Sequence, residues 1–221
     1  LLPMMHLRPD DPEWAVRCSA LLALARERWM AINERGTLQF KSTYFSASQI
    51  SDVPAHACET PYHVRPLMPV LLHWQRTRDG KLTPFVRAWL DTWVDALRAD
   101  RGKPEGVLPA AIRWPTGELG GVGPRWFEPQ IDRQAAYNWP RAMGYVTNAL
   151  LLAHWVTGDP KYLSPIERIV AFREDHRRST ETEPGSPGWC AAQMDFLDET
   201  LAKYRSLFGD SRFDNVLARQ G

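Results

Sequence analysis

The chain has 221 residues, enough for a sizeable buried core in one large domain or two small ones. Hydrophobic residues make up 44% and charged residues 24%, and 27 Lys and Arg against 26 Asp and Glu leave a net charge of +1, the balance of an ordinary globular protein. No acidic or basic tail recruits a polyphosphate or nucleic-acid partner, and the apolar runs are too short and interrupted to span a bilayer.

In chain order, Leu1–Arg8 reads as the end of a helix whose beginning lies outside the sequence. Asp11 is placed to cap, and Pro12 to open, a long helix over Pro12–Asn33. Further helices are expected over Val64–Arg76, Pro84–Ala99, Pro140–Val156, Pro165–Arg177, Cys190–Leu207 and from Arg212 to the end. Trp89, Trp93 and Leu97 fall on one helical face, as do Leu197, Leu201 and Tyr204. Leu38–Phe45 alternates enough for a short strand. The odd, widely separated Cys18, Cys58 and Cys190 exclude a disulfide framework and a CxxC metal site.

One turn recurs. Thr157-Gly158-Asp159-Pro160-Lys161-Tyr162 supplies a left-handed helix stop, an N-capping Asp and a helix-opening Pro between two apolar helical patterns. Thr77, Asp79 and Lys81 repeat it. Gly209-Asp210 with Phe213 is a third copy, and Asp11-Pro12-Glu13-Trp14 a fourth. Connections within these hairpins are short, whereas long ones start from Glu34, Asp100 and Arg178. Loops beyond about 12–15 residues in a compact domain are usually functional. In a ring of antiparallel helices these long loops emerge at the same end, beside the N-termini of the helices that follow.

This design resembles the α/α toroids of carbohydrate-active enzymes, in which an inner helix, a short Thr-Gly-Asp-x-x-Tyr turn and an outer helix repeat around a ring. Polysaccharide lyases, uronyl hydrolases and several glycoside hydrolases share it. The resemblance implies an all-α fold of helical hairpins with long loops, and one short β segment, on one face. It also implies that residues 1–221 form a single domain, a fragment of a larger toroid truncated at least at its N-terminus. A polysaccharide or oligosaccharide substrate and no cofactor go with it. A secreted or periplasmic setting follows from that substrate class alone, and oligomeric state is not readable.

The first long loop gathers Asp52, His56, Glu59, Tyr62, His63 and Arg65. Abstracting a proton next to a uronate carboxylate needs a cation or amide to neutralise the acid, a base, and an acid to assist departure. Arg65 can pair bidentately with the carboxylate, His56 or His63 serve as base, and Tyr62 as base or acid. The same residues equally tie down a long loop by hydrogen bonds. His56, Cys58, Glu59 and His63 include zinc-compatible donors, but their spacing is not a zinc pattern, so no metal is expected.

The second long loop carries Trp114, Trp126 and Trp139, which together with Tyr44 of the first are candidate sugar platforms. Glu128 and Arg133 add substrate-facing charge. By resemblance, Tyr137 and Asn138 match the catalytic tyrosine and the carboxylate-neutralising amide of toroid lyases. The expected activity is therefore β-elimination on a uronate-containing glycan. Glycoside hydrolysis by two carboxylates among Asp52, Glu59, Glu118, Glu128 and Asp132 is the alternative, and a non-catalytic glycan-binding module is a third reading.

Overall fold

The computed structural model describes residues 2–121, 123–128 and 138–218 and is mostly helical, with a few short strands. Helix α1 (Leu2–Leu7) turns into α2 (Glu13–Leu24), α3 (Val64–Thr77) into α4 (Thr83–Arg98), α5 (Met143–Thr157) into α6 (Ser164–His176), and α8 (Phe196–Phe208) into the short α9 (Asp214–Leu217). Helix α7 (Pro187–Ala191) precedes α8. No helix is long and apolar enough to cross a membrane among the described residues.

Helix α5 sits centrally because it is apolar almost all round; it packs against α3, α4, α6 and α8. Its neighbours α3 and α8 are themselves first helices of their hairpins, and α1 packs on α3. Amphipathic α4 directs Phe85, Trp89, Trp93 and Leu97 inward.

The short turns share one bonding pattern. In each, the Asp carboxylate accepts the backbone N–H two residues on: Asp11 from Glu13 at 3.0 Å, and Asp79, Asp159 and Asp210 from Lys81, Lys161 and Arg212 at 2.9 Å each. Arg78, Gly158 and Gly209 supply the left-handed stops of α3, α5 and α8. Successive turns are also joined, through Arg87 to Asp159 at 2.6 Å and Glu167 to Arg212 at 2.7 Å.

Three sequence expectations are corrected. The long helix ends at Leu24; a π-helical turn (Ala25–Trp29) leads into β1 (Met30–Ile32), which pairs antiparallel with β2 (Leu38–Phe40). Asn33 makes this possible, because its Oδ1 accepts the N–H groups of Arg35 and Thr37, so the chain reverses where a helix had been expected. The strand seen in the alternation of Leu38–Phe45 stops at Phe40. The helix expected over Cys190–Leu207 is broken between Ala191 and Phe196; at the break the Met194 carbonyl accepts from the buried Arg173 guanidinium.

The long loops meet one another at one end of the helices. Strand β3 (Cys58–Glu59) in the first pairs antiparallel with β4 (Ile112–Arg113) in the second, and Gly185 of the third lies against the Phe127 ring. Beneath them Glu59 is fully buried, and its carboxylate accepts from Trp89 Nε1 at 2.6 Å, Trp93 Nε1 at 2.7 Å and the Phe40 N–H at 2.7 Å. Lys103 closes the C-terminal end of α4 by donating to the carbonyls of Leu97, Ala99 and Pro104.

If the capping bond is the main work of these Asp side chains, Asp79→Ala and Asp159→Ala should each lower unfolding free energy by about 1 kcal/mol. The exposed Arg87 partner should add little to the second. Urea denaturation checks this; a loss several times larger at one turn alone would show that it holds the hairpins together by other means.

Candidate functional site

A groove of about 860 Å³ runs along the face formed by α1, α3, α5 and α8. Its loop-end mouth is built from the N-termini of α3, α5 and α8. Thr60 and His63 form a capping box that starts the turn Pro61–His63 and then α3, which places Tyr62 on the groove wall. On α5, Tyr145, Asn148 and Leu152 make a stripe at helical spacing along the opposite wall. The Tyr62 and Tyr145 rings lie 5.8 Å apart, and the Arg65 guanidinium sits 6.0 Å over the Tyr62 ring. Arg141 also lines the mouth, in a turn closed by its N–H on the Asn138 carbonyl.

Between Arg141 and α5, Ala142 takes a left-handed backbone (φ 66°) and lines the groove. Such strain in a non-glycine residue costs on the order of 1–3 kcal/mol and clusters at functional sites. Deeper along the groove, the Asn148 amide is fixed: its Oδ1 accepts from Thr200 Oγ1 at 3.1 Å and its Nδ2 donates to Glu199 Oε1 at 3.4 Å. Thr147 and Thr200, both fully buried, hold each other at 2.7 Å behind it. Glu199 also pairs with Lys203, and that hydrogen bond holds its carboxyl below the usual range.

No protein-family model matches this chain, and neither curated proteins nor solved structures give a match.

Of the expected catalytic residues, Tyr62 lines the mouth and Arg65 stacks on it, with exposed Asn138 one turn from Arg141. His63 is corrected to a structural residue. It is buried; its Nδ1 accepts from the Thr60 N–H at 2.9 Å and its Nε2 donates to the Ser42 carbonyl at 3.0 Å, so neither nitrogen is left for substrate. His56 lies in the first loop away from the groove lining, bonded through Nδ1 to Ser51 Oγ at 2.7 Å, its ring tilted against that of exposed Tyr44 with centroids 4.3 Å apart. Tyr137 and Arg133 lie outside the described residues.

The tryptophan platforms are also corrected. Trp126 and Trp139 are each only 6% exposed and pack at 5.3 Å, with Trp139 stacked on Trp189 and donating to the Leu108 carbonyl. An indole covered in this way has no face for a sugar ring. Trp114 is half-buried between the loops, its N–H on the Ala57 carbonyl, and Glu128 pairs with Arg125 at 2.8 Å. Among the described residues no three His, Cys, Asp or Glu side chains gather as metal ligands.

Sequence reading missed Tyr145, Arg141, Asn148 and Glu199. The available signal was polar Tyr145 and Asn148, three apart, inside the most apolar helix of the chain.

Burial pushes the Glu59 carboxyl up to about 7 from 4.5 and the His63 imidazole down to about 4 from 6.5. Folded Glu59 holds its proton more tightly than the unfolded chain does. Its contribution is therefore complete below pH 4.5 and lost as pH rises through about 7. His63 has the opposite sign: its contribution is complete above pH 6.5 and lost as pH falls through about 4. Each is worth roughly 3 kcal/mol at about 1.4 kcal/mol per pH unit, so in the overlapping window the two slopes cancel. Glu59→Gln should unmask a loss of urea stability on acidification, and His63→Gln a loss on raising the pH. Parallel profiles for the wild type and both variants would refute these assignments.

Proposed function

We propose that the hairpins are successive repeats of an α/α toroid arc and that the protein is a polysaccharide lyase acting on uronate-containing glycans. The arc reading is supported by the shared Asp turns, by the side-by-side packing of α1, α3, α5 and α8, and by the meeting of the long loops at one end. The observation that carries the activity is the mouth itself: two tyrosines with rings 5.8 Å apart, flanked by Arg65 and Arg141.

In this reading a guanidinium, Arg141 at the groove wall, takes the uronate carboxylate in a two-point hydrogen bond and so acidifies the adjacent C5–H. One tyrosine oxygen removes the C5 proton. The C5–H electron pair becomes the C4–C5 double bond as the C4–O bond breaks, and the second tyrosine hands its proton to the departing oxygen. Asn148, locked by Thr200 and Glu199, hydrogen-bonds the sugar further along the groove.

Hydrolysis is the second reading, because Asp195 and Glu199 both line the groove. Asp195 immediately precedes α8 and Glu199 lies in its first turn, on a single wall, whereas glycoside hydrolysis needs carboxylates flanking the scissile bond. Glu199 is moreover tied to Lys203 and Asn148. Of the carboxylates considered in the loops, Glu59 is buried on two indoles, Glu118 pairs with Arg113 and Glu128 with Arg125, while Asp132 lies outside the described residues.

Incubation with alginate, glucuronan and glycosaminoglycans should release products that absorb in the ultraviolet as unsaturated uronates. Tyr62→Phe and Tyr145→Phe should each lower kcat by at least about 100-fold with the far-ultraviolet spectrum unchanged. Arg141→Gln should lower kcat as well as raise KM, because the guanidinium both holds the carboxylate and acidifies C5–H. New reducing ends without absorbance would instead establish hydrolysis, and binding without either product a glycan-binding module.

A further inference from the structure

A second cavity, of about 190 Å³, lies outside the groove, between the turn that follows β1, the C-terminal half of α4 and the ribbon that includes β4. It is well below the roughly 300 Å³ at which pockets for drug-sized ligands begin, so its natural occupant is a small group. Two arginines line it, Arg35 from the first long loop and Arg101 from the second; among the described residues neither makes an ion pair. Asp95 is the carboxylate on its wall, so the lining carries a net positive charge.

The cavity is built rather than incidental. Asn33 lines it, only 5% exposed, with Oδ1 accepting the Arg35 and Thr37 N–H groups and Nδ2 donating to Thr37 Oγ1 at 2.9 Å and Gln39 Oε1 at 2.6 Å. Because Thr37 Oγ1 already accepts there, its own proton can be donated into the cavity. The stem of Arg35 lies directly on Gly117, where a Cβ would come within 2.7 Å of Arg35 Cδ; Gly117 has a left-handed φ of 67°. A glycine at that point leaves room for the arginine stem at the cavity wall.

The geometry points to a binding site for a small oxoanion, either free or carried as the acidic substituent of a glycan, clamped between Arg35 and Arg101. Paired guanidiniums match the oxygens of a carboxylate, sulfate or phosphate, and a hydroxyl donor completes the set. Bound there, the anion would cross-link the two long loops. The site stands on its own whether or not the groove is that of a lyase.

Isothermal titration and thermal melting with inorganic sulfate and inorganic phosphate, against chloride at equal ionic strength, test the assignment. Saturable binding and a raised melting temperature are expected. Arg35→Gln and Arg101→Gln should each weaken binding by about tenfold or more, while their anion-free melting matches wild type. Asp95→Asn, which removes the like charge, should tighten it. A sulfate ester of glucose is the third probe: tighter binding than free sulfate identifies a glycan substituent, and equal or weaker binding a free oxoanion. No saturable response to any probe, or a response that survives in the Arg35→Gln/Arg101→Gln double variant, overturns the proposal.

Discussion

The architecture of the loop end depends on one buried carboxylate. Taking Glu59 out of water costs several kcal/mol unless the group is fully bonded, and here it accepts from two indoles and a backbone N–H. Those three donors come from α4 and β2, while Glu59 itself belongs to β3. A single side chain therefore ties two places along the first long loop, Phe40 and Glu59, to each other and to α4. The second loop is held at one remove, through the pairing of β4 with β3. One residue after Glu59 the Thr60–His63 box begins, and it presents Tyr62 to the groove. Position at the groove mouth is thus inherited from a bond made in the core.

The two ends of the helices are built on different principles. At the turn end each Asp closes its own turn locally, and charged contacts pass from one hairpin to the next: Arg87 to Asp159, Glu167 to Arg212, and Arg78 to the Val156 carbonyl. The closure of each turn needs only its own residues, and the contacts between hairpins are added to it at the surface. At the loop end the contacts are long-range and buried, and the backbone holds strain at Ala142. An end assembled from nonlocal contacts can be reshaped by changing loops without disturbing the hairpins, which is how function is grafted on a scaffold.

This difference governs how much the sequence revealed. The helices from Val64 to His176 were legible because Pro, Gly and apolar spacing are local signals, and the Asp turns were legible for the same reason. Tyr62 and Arg65 were singled out because they stand at the start of a helix that could be placed. The end of α2 was not legible: nothing in Ala25–Ile32 forbids helix, and the strand exists because Leu38–Phe40 lies opposite it. The roles of Glu59 and His63 were hidden for a related reason. Burial of a polar side chain is decided by what folds over it, and the donors to Glu59 come from residues far along the chain. Tyr145 and Asn148 were passed over inside an apolar run that reads as core.

The chain has ten tryptophans, and the structure gives many of them a task other than ligand contact. Trp14, Trp29, Trp74, Trp89, Trp93 and Trp139 each direct Nε1–H to an acceptor in a turn or loop: the Arg8 carbonyl, the Ser46 carbonyl, Thr83 Oγ1, Glu59 twice, and the Leu108 carbonyl. An indole buries a large apolar face while keeping one polar edge, so it can sit in a helical core and still hold an irregular segment in place. Long loops with little secondary structure of their own need anchors of this kind, since their backbone groups are not satisfied by a ladder. Many of the tryptophans therefore serve as anchors for the loops, and any case for a glycan ligand has to rest on Tyr62, Tyr145, Arg141 and Asn148, which line the groove.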